Sequence, residues 1–120
     1  MANKFGIPHD IEILIRKRDK NCVYCHKKMI YPFHQSNPID FATIEHLNHR
    51  QDWNSVESYV QEGLPVDEIV TICCKSCNSS RGSKPLKDWF ESQYCQGKNI
   101  NYNTVAKVVK NYIDKYEQLL

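Results

Sequence analysis

No uninterrupted apolar run in this 120-residue chain exceeds a few residues, so no segment reads as a membrane span. The first residues, Met-Ala-Asn-Lys-Phe-Gly, carry no apolar stretch of signal-peptide length, and the expectation is a cytoplasmic protein with no membrane partner. There is no internal repeat, no low-complexity tract and no linker long enough to separate two domains. Strong charge of one sign is also missing, since the net charge is only +2. With 41% hydrophobic and 25% charged residues, wholesale disorder is excluded and a single globular domain over residues 1–120 is expected.

The modest net charge hides a pattern. Residues 1–28 hold seven basic and three acidic side chains, and residues 74–98 hold five and two. Between them, residues 29–73 hold one basic and seven acidic. Two basic blocks flanking an acidic middle are either a footprint for a polyanion or an ordinary solvated surface.

Local patterns outline an α+β chain. Residues 11–20 read as a helix with Asp10 as its cap, and Ile11, Leu14, Ile15 and the stem of Arg18 share one face. Residues 31–40 are rich in turn formers and read as loop. Phe41–Ile44 reads as a strand running into Glu45-His46, and Glu68–Ile72 as a second. Between them, residues 48–67 form a long polar connection with room for a short helix near Val56–Gln61. Pro85 marks the start of a helix through Leu86, Trp89 and Phe90 that stops near Gly97. Apolar residues from Val105 to Leu120 recur at three- and four-residue steps, predicting a terminal helix over about 104–119 opened by Asn103 or Thr104.

Six cysteines in a reducing compartment point to metal rather than disulfides. Cys22-Val-Tyr-Cys25 and Cys74-Lys-Ser-Cys77 are two Cys-x-x-Cys knuckles separated by 48 residues. Each turn directs two thiolates at one point, and two such turns complete a tetrahedral, closed and therefore structural zinc site. Redox chemistry of a single pair is the competing reading. Cys73 lies out of register with Cys77 and reads as a strand residue, Cys95 as a core thiol, and His26 as a lesser alternative to one sulfur.

The ordered series resembles the HNH (ββα-metal) endonucleases: "RKRDKNCVYC", then Thr43-Ile44-Glu45-His46, a second strand, and Cys74-Lys-Ser-Cys77 followed at once by Asn78. The resemblance covers roughly residues 14–90, and the layout is most similar to the zinc-containing recombination endonuclease VII type. It implies a small zinc-stabilised ββα-metal core with N- and C-terminal helices. It also implies cleavage of a DNA phosphodiester to 5′-phosphate and 3′-hydroxyl ends, with RNA as the alternative substrate. By that resemblance Glu45 and Asn78 hold one catalytic divalent cation, Mg²⁺ or Mn²⁺, and His46 is the general base for water. A hard cation suits carboxylate and amide oxygens, and an imidazole suits proton removal near neutral pH. Arg81 and Lys84 occupy the family's basic position, where they either hold phosphates or form a solvated face. His49 either joins them or is a polar loop histidine. Two departures stand out: Glu45 replaces the usual Asp, and Ile69, beside Glu68, occupies the place of the middle Asn, for which Asn48 or Asn54 could substitute. A non-catalytic zinc module that binds nucleic acid or protein is the rival reading; it needs the knuckles but not Glu45, His46 and Asn78 together.

Overall fold

The computed structural model describes residues 7–31, 38–48 and 66–117. The possible helix at Val56–Gln61, together with His34, His49 and Asn54, lies outside the described residues. Helix α1 (His9–Arg18) carries Asp10 and Glu12 in its first turn and Arg16, Lys17 and Arg18 in its last. Those charges oppose the helix macrodipole at both ends, and Glu12 pairs with Arg16 one turn on at 2.8 Å. The helix begins two residues earlier than the pattern suggested, with Pro8 rather than Asp10 at its N-cap and no side-chain cap bond. Ile15 is buried, but Leu14 is 64% exposed, so the inward stripe runs along Ile11 and Ile15 alone.

After the first knuckle and a 3₁₀ turn at Pro38–Asp40, strand β1 (Ala42–His46) enters the sheet. A helical turn, α2 (Val66–Ile69), leads into β2 (Val70–Cys74). The strands are antiparallel, with Ala42 opposite Cys74, Ile44 opposite Ile72, and His46 opposite Val70. Every residue of β2 is buried, so this strand is covered on both faces. The predicted second strand therefore sits two residues too early, because Glu68 and Ile69 are wound into α2 while Cys73 and Cys74 complete the ladder.

Helix α3 (Lys75–Arg81) follows β2 without a loop. The single helix expected from Pro85 to Gly97 is two: α4 (Leu86–Phe90) and α5 (Gln93–Lys98). The break falls at Ser92, whose hydroxyl accepts from the Cys95 N–H and caps α5. The terminal helix is shorter than predicted, with α6 (Lys107–Tyr112) passing into a π-helical turn at Ile113–Glu117. Its start is delayed because the Ala106 N–H is taken by the carbonyl of Val23 in the first knuckle, at 2.9 Å. Neither Asn103 nor Thr104 caps it; Ala106 holds that position without a side-chain bond. At the far end Glu117 accepts from the Leu86 and Lys87 N–H groups, each at 3.2 Å, and so closes the open start of α4.

Trp89 is the largest fully buried side chain and centres the core. Tyr24 meets it edge-on at 4.8 Å between ring centroids, Tyr94 stacks at 6.0 Å, and the indole N–H donates to Ser80. The result is an α+β unit in which the helix that follows β2 packs against both strands of a two-stranded antiparallel sheet. Among the described residues no helix is long and apolar enough to cross a membrane.

Candidate functional site

The first knuckle is a tight hairpin. Asn21 bridges Lys28, the Cys22 N–H donates to the Lys27 carbonyl, and the His26 N–H returns to the Cys22 carbonyl. His26 closes the turn with φ of 65°, a left-handed conformation that non-glycine residues adopt sparingly. The second knuckle uses a strand-to-helix junction instead. Cys74 ends β2, and its sulfur accepts from the Cys77 N–H at 3.5 Å in the first turn of α3.

These two turns bring Cys22, Cys25, Cys74 and Cys77 together, with all four sulfurs within 4.8 Å of one another. The Cys25 and Cys74 sulfurs are 3.9 Å apart. Four sulfurs each 2.3 Å from one zinc at tetrahedral angles lie about 3.8 Å apart, so the spacing matches. All six cysteines are free thiols, and a disulfide would need about 2 Å between sulfurs. Protonation shows the same fit. Hydrogen bonds from Cys22, Cys74 and Cys77 hold the Cys25 thiol well below its ordinary value. Bonds to Cys22, Cys25 and Cys74 push Cys77 far up, and bonds to Cys22 and Cys25 raise Cys74. Cys22 is raised by Cys25 but lowered more by Cys74 and Cys77, to about 7. Four sulfurs this close cannot all ionise on their own; a divalent cation such as zinc would allow it. The residues therefore fit a closed metal site.

The neighbours of these ligands are separate in role. Tyr94 donates to the Cys77 sulfur at 3.3 Å and is itself bonded to the Ser76 hydroxyl at 2.8 Å. His26 is exposed and its ring contacts the Thr104 carbonyl, so it is not a substitute ligand. Cys73 is a buried β2 residue beside the Thr43 hydroxyl, and burial pushes its thiol well up. Cys95 is a buried core thiol.

The second cluster lies at the end of β1. Asn78 stands one residue past the second knuckle, within α3. Its amide nitrogen donates to the Thr43 hydroxyl at 2.9 Å and to the Ile44 carbonyl at 3.1 Å. One turn later Arg81 grips the next stretch of the strand. Its guanidinium donates to Glu45 Oε2 and the His46 carbonyl, each at 3.0 Å, to the Leu47 carbonyl at 2.7 Å, and to the Lys84 carbonyl at 2.8 Å. Glu45 Oε2 also accepts from the Tyr24 hydroxyl at 2.6 Å. Glu45, Asn78 and the backbone of His46 thus meet at one strand–helix junction, with the His46 side chain on the alternate face of β1.

Burial is nearly complete here: Glu45 is 1% exposed, Arg81 1% and His46 8%. Desolvation opposes the Arg81 charge, yet the neighbouring Tyr24 oxygen and Glu45 carboxylate more than offset it and hold the guanidinium above its ordinary value. Burial, then the Glu45 charge, push the Tyr24 hydroxyl well up, so it remains a donor. Arg81 is therefore a buried residue rather than an exposed cation, and its donors are taken by the strand end and the Lys84 carbonyl. Lys84 is exposed, with its ammonium on the Ser80 carbonyl at 3.3 Å. Ile69 is a core residue whose carbonyl receives the Leu47 N–H. Asn48 is half-buried, and its amide atoms have no hydrogen-bond partner among the described residues.

Three contributors were missed from sequence: Tyr24, Thr43 and Tyr94. Tyr24 alone carried a usable signal, because a tyrosine fixed between two metal ligands is forced inward and its hydroxyl then needs a partner. No protein-family model, no curated protein sequence and no solved structure matches this chain.

Proposed function

We propose that this chain is a zinc-stabilised, divalent-metal-dependent DNA endonuclease of the HNH kind. The observation that carries the reading is the junction of α3 with β1. The helix that starts at the second knuckle lays Asn78 beside Ile44 and Arg81 beside Glu45 and His46. An acid and an amide far apart in the chain are thereby gathered with the backbone of His46 at the end of β1, next to the four clustered cysteines.

The donor set suits a hard cation. The Asn78 amide spends its nitrogen on β1, which leaves Oδ1 as the remaining donor atom of that side chain. Both protein bonds to Glu45 fall on Oε2, and Oε1 receives neither. One carboxylate oxygen and one amide oxygen, with waters, would hold Mg²⁺ or Mn²⁺. Such an ion, when bound, would neutralise the scissile phosphate and the departing 3′ oxygen. His46 is the last residue of β1, and with its imidazole turned toward the junction where the strand ends it would take the proton from the attacking water, a role for which a neutral imidazole is suited. The exposed Lys84 is left to meet phosphate, where it would add affinity without reading sequence.

The deciding experiment is a nicking assay on supercoiled plasmid and on RNA, with Mg²⁺, with Mn²⁺ and with mild chelation that spares the zinc. Cation-dependent nicking that chelation abolishes supports the reading. The second reading, a non-catalytic zinc module for nucleic acid or protein, is favoured by one observation: Glu45 is 1% exposed and already neutralised by Arg81. DNA binding without cleavage under every cation would select it.

A further inference from the structure

We propose that Tyr24 and Arg81 are positioning residues that orient Glu45, holding Oε2 to the protein so that Oε1 is the oxygen offered to a divalent cation. This inference rests on the reading of Glu45 as a cation ligand. Three features of the geometry carry it. The two donors reach one oxygen from independent elements, the Tyr24 hydroxyl from the first knuckle and the Arg81 guanidinium from α3. Two charge-assisted bonds to the same oxygen fix the carboxylate's rotation, which one bond could not. Arg81 also holds the carbonyls of His46 and Leu47, so the carboxylate and the backbone that carries the imidazole move as one piece.

The arrangement links the two metal sites. Tyr24 lies between the ligands Cys22 and Cys25, and its own position follows from the knuckle they form. Its ring is locked edge-on against Trp89, which leaves the hydroxyl aimed at Glu45. Zinc binding therefore sets one of the two groups that orient the second site's carboxylate. Groups that fix ligand orientation from behind typically contribute 10–100-fold to metal affinity or activity.

The test measures Mn²⁺ affinity by loss of the free-ion paramagnetic resonance signal, on the full zinc-loaded chain. Tyr24→Phe removes one hydroxyl and keeps the ring. Its apparent Mn²⁺ dissociation constant should rise about tenfold while zinc content and the unfolding midpoint stay near wild type. Arg81→Lys keeps the charge but loses the planar fork, and should weaken Mn²⁺ binding at least as much. Ser92→Ala, which loses a helix cap and removes no bond made by Tyr24, Glu45 or Arg81, is the matched control: it lowers stability and should leave Mn²⁺ affinity unchanged. Wild-type affinity in a folded Tyr24→Phe protein overturns the inference alone. Failure of both site variants to fold assigns the pair to stability and also overturns it. A wild-type protein that holds zinc but binds no Mn²⁺ overturns the inference and the endonuclease reading together, whereas Mn²⁺ binding without cleavage leaves the inference standing and removes only the nuclease.

Discussion

The thiolate centre and the strand-end junction are built in opposite ways, although they share α3. Each half of the thiolate centre is local: a pair of cysteines three residues apart, closed by its own turn. The four sulfurs lie within 4.8 Å of one another and point at a common centre. At the junction the contacts that join helix, knuckle and strand are long-range. Asn78 reaches Ile44 across 34 residues, Arg81 reaches Glu45 across 36, and Tyr24 reaches it across 21. There the candidate ligands are each half committed to the protein, and what remains of each is a single oxygen. A set of ligands spent wholly on one ion makes a closed, structural site. A set that keeps one oxygen each makes a site whose affinity depends on how its protein partners hold it.

The contrast is broken most directly by removing the metal. Substituting Cys74→Ser, or stripping metal with a strong chelator, should unfold the chain, because Cys74 is at once one of the four clustered cysteines, the end of β2 and the cap of α3. Structural zinc in small domains contributes on the order of 10 kcal/mol, comparable to a whole domain's net stability. Elemental analysis with circular dichroism checks this. Folded protein that contains no zinc would show that the core alone suffices.

His46→Ala sharpens the difference from the other side. If His46 is the base we propose, its loss should lower single-turnover cleavage by about 10²–10⁴-fold with zinc content unchanged. Because His46 is only 8% exposed, the truncation should also cost stability, about 1 kcal/mol. Cleavage that falls only in proportion to the folded fraction would reduce His46 to a packing residue. Arg81→Met tests the junction's framework rather than its chemistry. It leaves Glu45 buried with Tyr24 as its sole donor, and breaking a buried pair from one side costs about 3–5 kcal/mol. A loss below about 1 kcal/mol in urea unfolding would show that the buried Arg81 fork adds little to the fold.

What could be read from sequence follows the same division. The four cysteines were legible because their spacing encodes the turn, and β1 was legible from Phe41 to Ile44 because alternation and β-branched residues mark it. The second strand was displaced because Cys73 and Cys74 carry no β-signal of their own yet pair with Thr43 and Ala42. The split at Ser92 was obscured by the apolar residues on either side, although serine is a preferred cap. The burial of Arg81 was not legible, for a physical reason. Sequence places it in a basic stretch after Asn78, and only the folded chain shows three strand-end acceptors waiting across 34 to 36 residues. Residue types that serve equally well at a surface and in a buried fork cannot be sorted without their partners.

The smallest effect worth measuring lies at the edge of the thiolate centre. Tyr94 is the polar neighbour whose hydroxyl donates to the Cys77 sulfur, while its ring stacks on Trp89. A donated hydrogen bond draws charge from a thiolate and fixes its lone pairs, so the metal it binds should exchange more slowly. Tyr94→Phe keeps the stacked ring and removes only that bond and the link to Ser76. The variant should fold, bind one zinc and release it to a chromogenic chelator about tenfold faster than wild type, at the low end of what outer-shell groups contribute. Ser76→Ala, which loses the bond to the tyrosine but leaves the sulfur its donor, should fall between the two. Identical release from all three proteins would mean that the closed centre depends on its four thiolates alone, and that the contrast with the partner-dependent junction is sharper than the Tyr94 contact suggests.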